Sequence, residues 1–364
     1  MNFETLGDHV ENSYIFKGSL KKPFLAPRGV YIVNNTLLVS DTGQNRVFIW
    51  NSLPKTEYAE PDVILGQSGI EDSGRNAGSE VDSSSLHYPS GIWSDGKKLI
   101  VADAWNHRVL IWHSMPIHNA QPADTVIGQP DFKSNLPNVK GIGNNPSSQT
   151  LNWPYGVFSD GQRLWIADTG NRRILSYKSI PEENFVKAES VIGKTDFTSR
   201  DYTANQPIWP YSVKVNQNDG MIVADTQFFR VLLWNNGNKE FSKPADVIIG
   251  QEDFNACGQN QFGLFPSGQS LNWTYDACFY KNGILVADTG NSRILWFDEI
   301  PKFNNVSAKA VLGKLDFVTG SENKDTIMGT ENSIYWPFSI GIENNTLVIA
   351  DTGNHRLVIT CLKF

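Results

Sequence analysis

Short apolar runs recur along this chain, separated by tight polar turns, and they repeat as units of about sixty residues. Six turns of the form Asp-Thr-Gly-Asn-x-Arg mark the units. They begin at Asp41, Asp103, Asp168, Asp225, Asp288 and Asp351, which are 62, 65, 57, 63 and 63 residues apart. An Arg follows each Asp by five positions: Arg46, Arg108, Arg173, Arg230, Arg293 and Arg356. A β-branched or Leu-rich run follows each Arg, as in Arg46-Val47-Phe48-Ile49-Trp50. No helical period is visible. Runs of this length, bounded by Gly, Asn and Asp, read as strands, and a fixed repeat of four such strands reads as a propeller blade.

Each unit starts with a strand led by Pro, such as Pro154-Tyr155-Gly156-Val157, with Thr274 replacing Pro in the fifth. A short turn such as Ser159-Asp160-Gly161 leads to the second strand, which ends at the Asp-Thr-Gly-Asn turn. The third strand carries the Arg. A polar linker then leads to a short fourth strand ending in Gly, as in Asp62-Val63-Ile64-Leu65-Gly66. Five units contain their own fourth strand. The sixth stops after its third, and the missing strand is expected at Phe3-Glu4-Thr5-Leu6-Gly7-Asp8. The N-terminal strand should therefore complete the C-terminal blade and close the ring, removing two exposed sheet edges. The expected fold is all-β: one six-bladed propeller domain over residues 1–364, each blade a four-stranded antiparallel sheet.

The Pro-led and Asp-Thr-Gly-Asn-x-Arg segments, above all Pro154-Tyr155-Gly156-Val157 and Ile166 to Ile174, resemble the NHL-repeat family of six-bladed β-propellers. The run that names the family is closest in Asn106-His107-Arg108 and Asn354-His355-Arg356-Leu357. The resemblance covers essentially the whole chain. It implies the fold and leaves the function open, since the family includes scaffolds, RNA binders and metal-dependent lyases.

Composition narrows the choice. Net charge is −7 and the basic residues are scattered, so the clustered charge of a nucleic-acid footprint is absent. The three cysteines show neither CxxC spacing nor a nearby His array, so no metal site is expected from them. No signal peptide and no membrane-length apolar run is visible, and a cytoplasmic protein with no membrane partner is the expectation.

Strand direction places the long loops, the Asp-Thr-Gly-Asn turns and the Pro-led starts on one face. Binding usually resides where long loops gather on a rigid scaffold. After the Pro position the inner strands carry Arg28, Ser90, Tyr155, Tyr211, Tyr275 and Phe338. Before it they carry Ala26, Tyr88, Trp153, Trp209, Trp273 and Trp336. One guanidinium among phenols and indoles suits an anionic or aromatic small molecule, or an aromatic peptide anchor. The tryptophans could equally wedge between blades. Asp276 is the sharpest departure, because its equivalents are Gly29, Gly91, Gly156, Ser212 and Ser339. It could pair with Arg28, act as a general base, hold a channel cation such as calcium, or bond only to backbone and water. Phe228, Phe229 and Trp105 put apolar groups in turns that are otherwise polar, as a partner contact or as packing under a loop. The six Asp–Arg pairs, being six, are expected to be structural.

Two functional classes follow. One is a binding propeller that holds a protein, peptide or small anionic or aromatic ligand at the mouth of the loop-bearing face. The other is an enzyme at the same mouth: a lyase, a lactonase-like hydrolase or a carbon-bond-forming catalyst. It would use Asp276 as base or cation ligand, with Arg28 and the tyrosines orienting the substrate.

Overall fold

The computed structural model describes residues 10–235, 243–325, 327, 329–330 and 333–363. They form six four-stranded antiparallel sheets arranged as the blades of a propeller. Blade 3 is representative. Its inner strand Pro154–Ser159 pairs with Leu164–Asp168, then Arg173–Tyr177, then the short outer strand Ser190–Ile192. The other inner strands are Gly29–Val33, Pro89–Ser94, Pro210–Val215, Asp276–Tyr280 and Pro337–Glu343, in blades 1, 2, 4, 5 and 6. In blade 6 the outer strand is Val10–Phe16, paired with Arg356–Leu362 in a register that runs from Val10 opposite Leu362 to Phe16 opposite Leu357. The N-terminal region thus closes the ring. The stretch Phe3–Asp8 expected to do so lies outside the described residues.

The apolar runs form cores between neighbouring blades. One cluster joins Ile100, Val109 and Ile111 of blade 2 to Leu164, Ile166 and Leu175 of blade 3, and five more complete the circle. Strands buried on both faces lose the polar alternation of a one-sided sheet, hence runs such as Arg108–Trp112, buried throughout.

The repeated turn is a structural staple. In every blade Asp and Arg are ion-paired at 2.7–2.9 Å through the arginine Nε, and at most 4% of either side chain is exposed. The other Asp oxygen accepts a backbone N–H from the entering loop, as from Asn152 to Asp168 at 2.7 Å. The remaining Arg nitrogens donate to carbonyls of two loops, as from Arg173 to Phe197, Ser147 and Thr150. A buried charge is tolerable only when so completely satisfied. The turn's Thr donates to the carbonyl that starts the next blade: Thr42 to Pro89, Thr169 to Pro210, Thr226 to Thr274, Thr289 to Pro337 and Thr352 to Pro27. Blade 2 has Ala104 at this position and cannot make that bond.

Each turn ends on a left-handed residue: Asn45, His107, Arg172, Phe229, Ser292 or His355. After the outer strands of blades 1, 2 and 4, Gln67, Gln129 and Gln251 donate to the carbonyls of Asn45, His107 and Phe229 at 3.0–3.1 Å. Blade 3 places Lys194 there, buried, its ammonium without a hydrogen-bond partner among the described residues.

Candidate functional site

Inner strands converge on the axis because small residues let them approach. A Cβ on Gly29 would lie 2.0 Å from the Ser90 carbonyl, and one on Gly156 would lie 2.5 Å from that of Tyr211. The position two beyond the Pro is therefore pressed against the next blade. Asp276 occupies it in blade 5 and bridges the gap instead of crowding it. One carboxylate oxygen accepts the Ile340 N–H at 2.9 Å and the Ser339 hydroxyl at 3.2 Å, both from blade 6. The other receives the Lys214 ammonium of blade 4 at 2.6 Å and the Ala277 N–H at 2.9 Å. Asp276 is thus paired with Lys214, not Arg28. Among the described residues no cluster of three His, Cys, Asp or Glu side chains is placed to hold a metal ion.

The ion pair lies in an axial throat of about 40 Å³, whose walls include Arg28, Tyr155, Tyr211, Tyr275 and Phe338 beside Lys214 and Asp276 themselves. The rings interlock. Tyr155 stacks on Tyr211 at 4.7 Å, Tyr211 meets Tyr275 edge-on at 4.5 Å, and Tyr275 lies 4.1 Å from Phe338. Ser90 closes the circle, its hydroxyl 3.3 Å from that of Tyr211. Burial, the largest influence, raises the pKa of Tyr155 and Tyr275 and pushes Tyr88 up to about 12. These phenols therefore keep their protons at neutral pH and serve as hydrogen-bond donors.

Arg28 sits at the upper edge of the throat. Its guanidinium lies 4.1 Å from the centre of Phe338 and 5.2 Å from that of Tyr88. Its Nε is buried with no hydrogen-bond partner, and among the described residues no carboxylate pairs with it. Burial works to lower its pKa, but the nearby hydroxyls of Tyr211 and Tyr88 outweigh that and leave it raised, so the cation persists. The throat opens outward into a cleft of about 490 Å³ between blades 5 and 6, bounded by Arg28, Trp273, Tyr275, Trp336, Phe338 and Glu322.

The rim aromatics are held by the backbone. Tyr88, Trp153, Trp273 and Trp336 all adopt left-handed conformations, with φ between 46° and 58°. That is costly for a bulky L-residue. In three of the four, the preceding turn's left-handed residue accepts the strained N–H: Asn45 from Tyr88, His107 from Trp153 and Ser292 from Trp336. Burial first, and His87 second, bring His107 down to about 4, so its ring is neutral and free to accept. Trp273 and Trp336 remain 43% and 45% exposed, with their faces available beside the cleft. Trp209 belongs to a different arrangement, in which Asp225 takes both its N–H and that of Ile208. Trp153 lies 6.4 Å from it.

Trp105 is 44% exposed, stacks on Tyr88 at 4.5 Å and points its indole N–H at the Tyr155 hydroxyl at 3.3 Å, so it belongs to the rim. Phe229 packs edge-on against Trp273 at 5.2 Å, and Phe228 packs against Tyr202 and Arg230. Both are half-buried by this chain's own side chains. Lys214 and Glu322 had gone unread. Lys214 had a sequence signal: its equivalents are Tyr31, Trp93, Phe158, Cys278 and Gly341, so two adjacent blades depart from the pattern with opposite charges. Glu322 precedes Asn323, which bonds to Asn354 as Asn76, Asn138 and Asn260 bond to Asn106, Asn171 and Asn291, so its counterparts are Arg75, Pro137 and Gln259, and a carboxylate stands here in blade 6 alone of these four.

No protein-family profile matches the chain. It is 23% identical, over an alignment of 381 residues, to NHL repeat-containing protein 2 from Bos taurus, with 96% of this chain and 48% of that protein covered. The chain thus spans about half the length of that relative. Among solved structures it is similar to a structural-genomics protein of unknown function from Bacteroides thetaiotaomicron (TM-score 0.50, 11% identity, 96% of this chain and 75% of that one). It is also similar to streptogramin B lyase (TM-score 0.49, 11% identity, 96% of this chain and 98% of that one). The first of these two structures bears on the fold alone.

Proposed function

We propose that this NHL-repeat six-bladed propeller is a binding module that holds a small anionic ligand with an aromatic or other flat body at the mouth of its loop-bearing face. Arg28 carries the reading. It is a persistent cation, partly withdrawn from water, set among rings and lacking a carboxylate partner. A cation so placed gains from an incoming anion more than a surface arginine does, because little water competes for it. The phenols offer further donors, and Trp273, Trp336 and Phe338 offer faces for a planar group.

An enzyme built on Asp276 has less support. That carboxylate already holds an ammonium, a hydroxyl and two backbone N–H groups, and the axial space it lines has room for only a few waters. The test is calorimetric titration of 3-phenylpropionate and phenyl phosphate into the wild type and Arg28→Gln. Binding of at least one anion, weakened about tenfold or more by the substitution, is expected from the loss of one charged contact. No binding of either, or equal affinity in both proteins, overturns the reading.

A further inference from the structure

The cleft above the throat has two poles. Arg28 forms one end, and Glu322 stands on the wall formed by the loop that leads from blade 5 to blade 6. Glu322 is exposed and, among the described residues, has no ion-pair partner. Between the poles the walls are Trp273, Tyr275, Trp336 and Phe338, with the amide of Asn272 alongside. A cation and an anion that line one cleft without pairing to each other define a complementary ligand of the opposite sense. An anionic group meets Arg28, a cationic group meets Glu322, and an apolar body bridges them. The exposed indole faces of Trp273 and Trp336 reinforce the cationic end, since an ammonium beside a tryptophan face is attracted to it. A space of about 490 Å³ holds a molecule of the size of an aromatic amino acid or a short peptide.

We infer that the ligand is zwitterionic: an α-amino acid with an aromatic side chain, or a short peptide that presents a free carboxylate and a free amine. Its carboxylate faces Arg28 and the phenol donors. Its ammonium lies between Glu322 and the rim indoles, and its ring rests against Trp336 or Phe338. This inference rests on the anion-binding reading of Arg28 and adds a second recognition group to it. The charge pattern also rejects ligands. A dianion places its second negative charge against Glu322, and a simple amine places its charge against Arg28, so both are disfavoured relative to the zwitterion.

The experiment compares three probes of nearly equal size by calorimetry or ligand-observed NMR: phenylalanine, 3-phenylpropionate and phenethylamine. Phenylalanine should bind the wild type about three- to fivefold more tightly than 3-phenylpropionate, the size of effect an exposed ion pair gives. Phenethylamine should bind more weakly than both. Glu322→Gln should bring the Kd of phenylalanine up to that of 3-phenylpropionate, and raising the salt concentration should shrink the preference in the wild type. If 3-phenylpropionate binds through Arg28 and phenylalanine binds no better, the zwitterion inference is overturned while the anion-binding reading stands. If neither acid binds, both fall. If phenylalanine is preferred but keeps its advantage in Glu322→Gln, the role of Glu322 is wrong and the inference fails on that residue.

Discussion

Blade 1 contains two arginines in opposite circumstances. Arg46 is fully enclosed, its Nε on Asp41 at 2.9 Å and its other nitrogens on the carbonyls of Ile70, Asp72 and Lys22. Arg28, eighteen positions earlier, looks onto Phe338 and Tyr88, bonds to the Tyr211 hydroxyl, and has a buried Nε that meets no acceptor among the described residues. The same side chain is a keystone in one setting and an open recognition group in the other. The difference is made entirely by what the chain places around it. Repetition marks the first kind and singularity marks the second: every blade has an Arg46, and no other blade has an Arg28.

The comparison can be broken at its strong end. Arg46→Ala should destabilise the fold by about 3–5 kcal/mol in urea-induced unfolding, because it strands the buried Asp41 carboxylate and three carbonyls. Arg28→Ala should cost no more than about 1 kcal/mol, since it strands the Tyr211 hydroxyl but no buried charge. An Arg28 variant as damaging as the Arg46 one would make Arg28 a structural anchor and erase the distinction.

The axial ion pair should fall between these limits. Lys214→Ala leaves Asp276 buried without its cation and should cost about 2–4 kcal/mol. Adding Asp276→Ser, the residue blades 4 and 6 use at that position, should recover most of the loss. Non-recovery would mean that Asp276 holds blades 5 and 6 together independently of Lys214. Lys194 supplies a smaller effect than the axial pair. Burial, with Arg172 nearby, lowers its pKa to about 8. Below pH 8 the ammonium is charged in both folded and unfolded chains, and the folded state bears the full cost of burying it. Between pH 8 and roughly 10.4 the folded chain has shed a proton that the unfolded chain keeps, so stability rises with pH. Lys194→Gln should restore the bond made by Gln67, Gln129 and Gln251. It should stabilise the protein by about 1–2 kcal/mol at pH 7, with the gap closing toward pH 10. A pH-independent gap would place the effect in packing instead.

The architecture was legible because it is written six times. A strand misjudged in one repeat is corrected by the other five, and the Asp–Arg pairs could be read as structural from their number alone. The mouth was only half legible. Arg28 and Asp276 stood out as singular residues, but the pairing of Asp276 with Lys214 depends on blades 4 and 5 being neighbours and on a difference of two positions along their inner strands. The narrowness of the throat depends on the rotamers of four rings, which no residue type specifies. Glu322 sits in a turn that recurs at Arg75 and Gln259, but the spacing from that turn to the next Pro-led strand differs between blades, so the equivalence shows only once Asn323 is seen bonded to Asn354.

The ring closure has a kinetic meaning. The hydroxyls of Ser13 and Thr360 meet at 2.7 Å across 347 residues of chain. Each of the first five blades draws its strands from one contiguous stretch and can assemble from local contacts during synthesis. The last cannot, because its outer strand waits beside the exit while everything between is made. Once Pro337–Glu343 to Arg356–Leu362 are made, blade 6 presents a raw edge until its outer strand docks, and the early strand of another molecule can pair with that edge instead. The final joining step, slow because it spans nearly the whole chain, is where exchange between molecules competes with self-closure, and that competition sharpens as protein concentration rises.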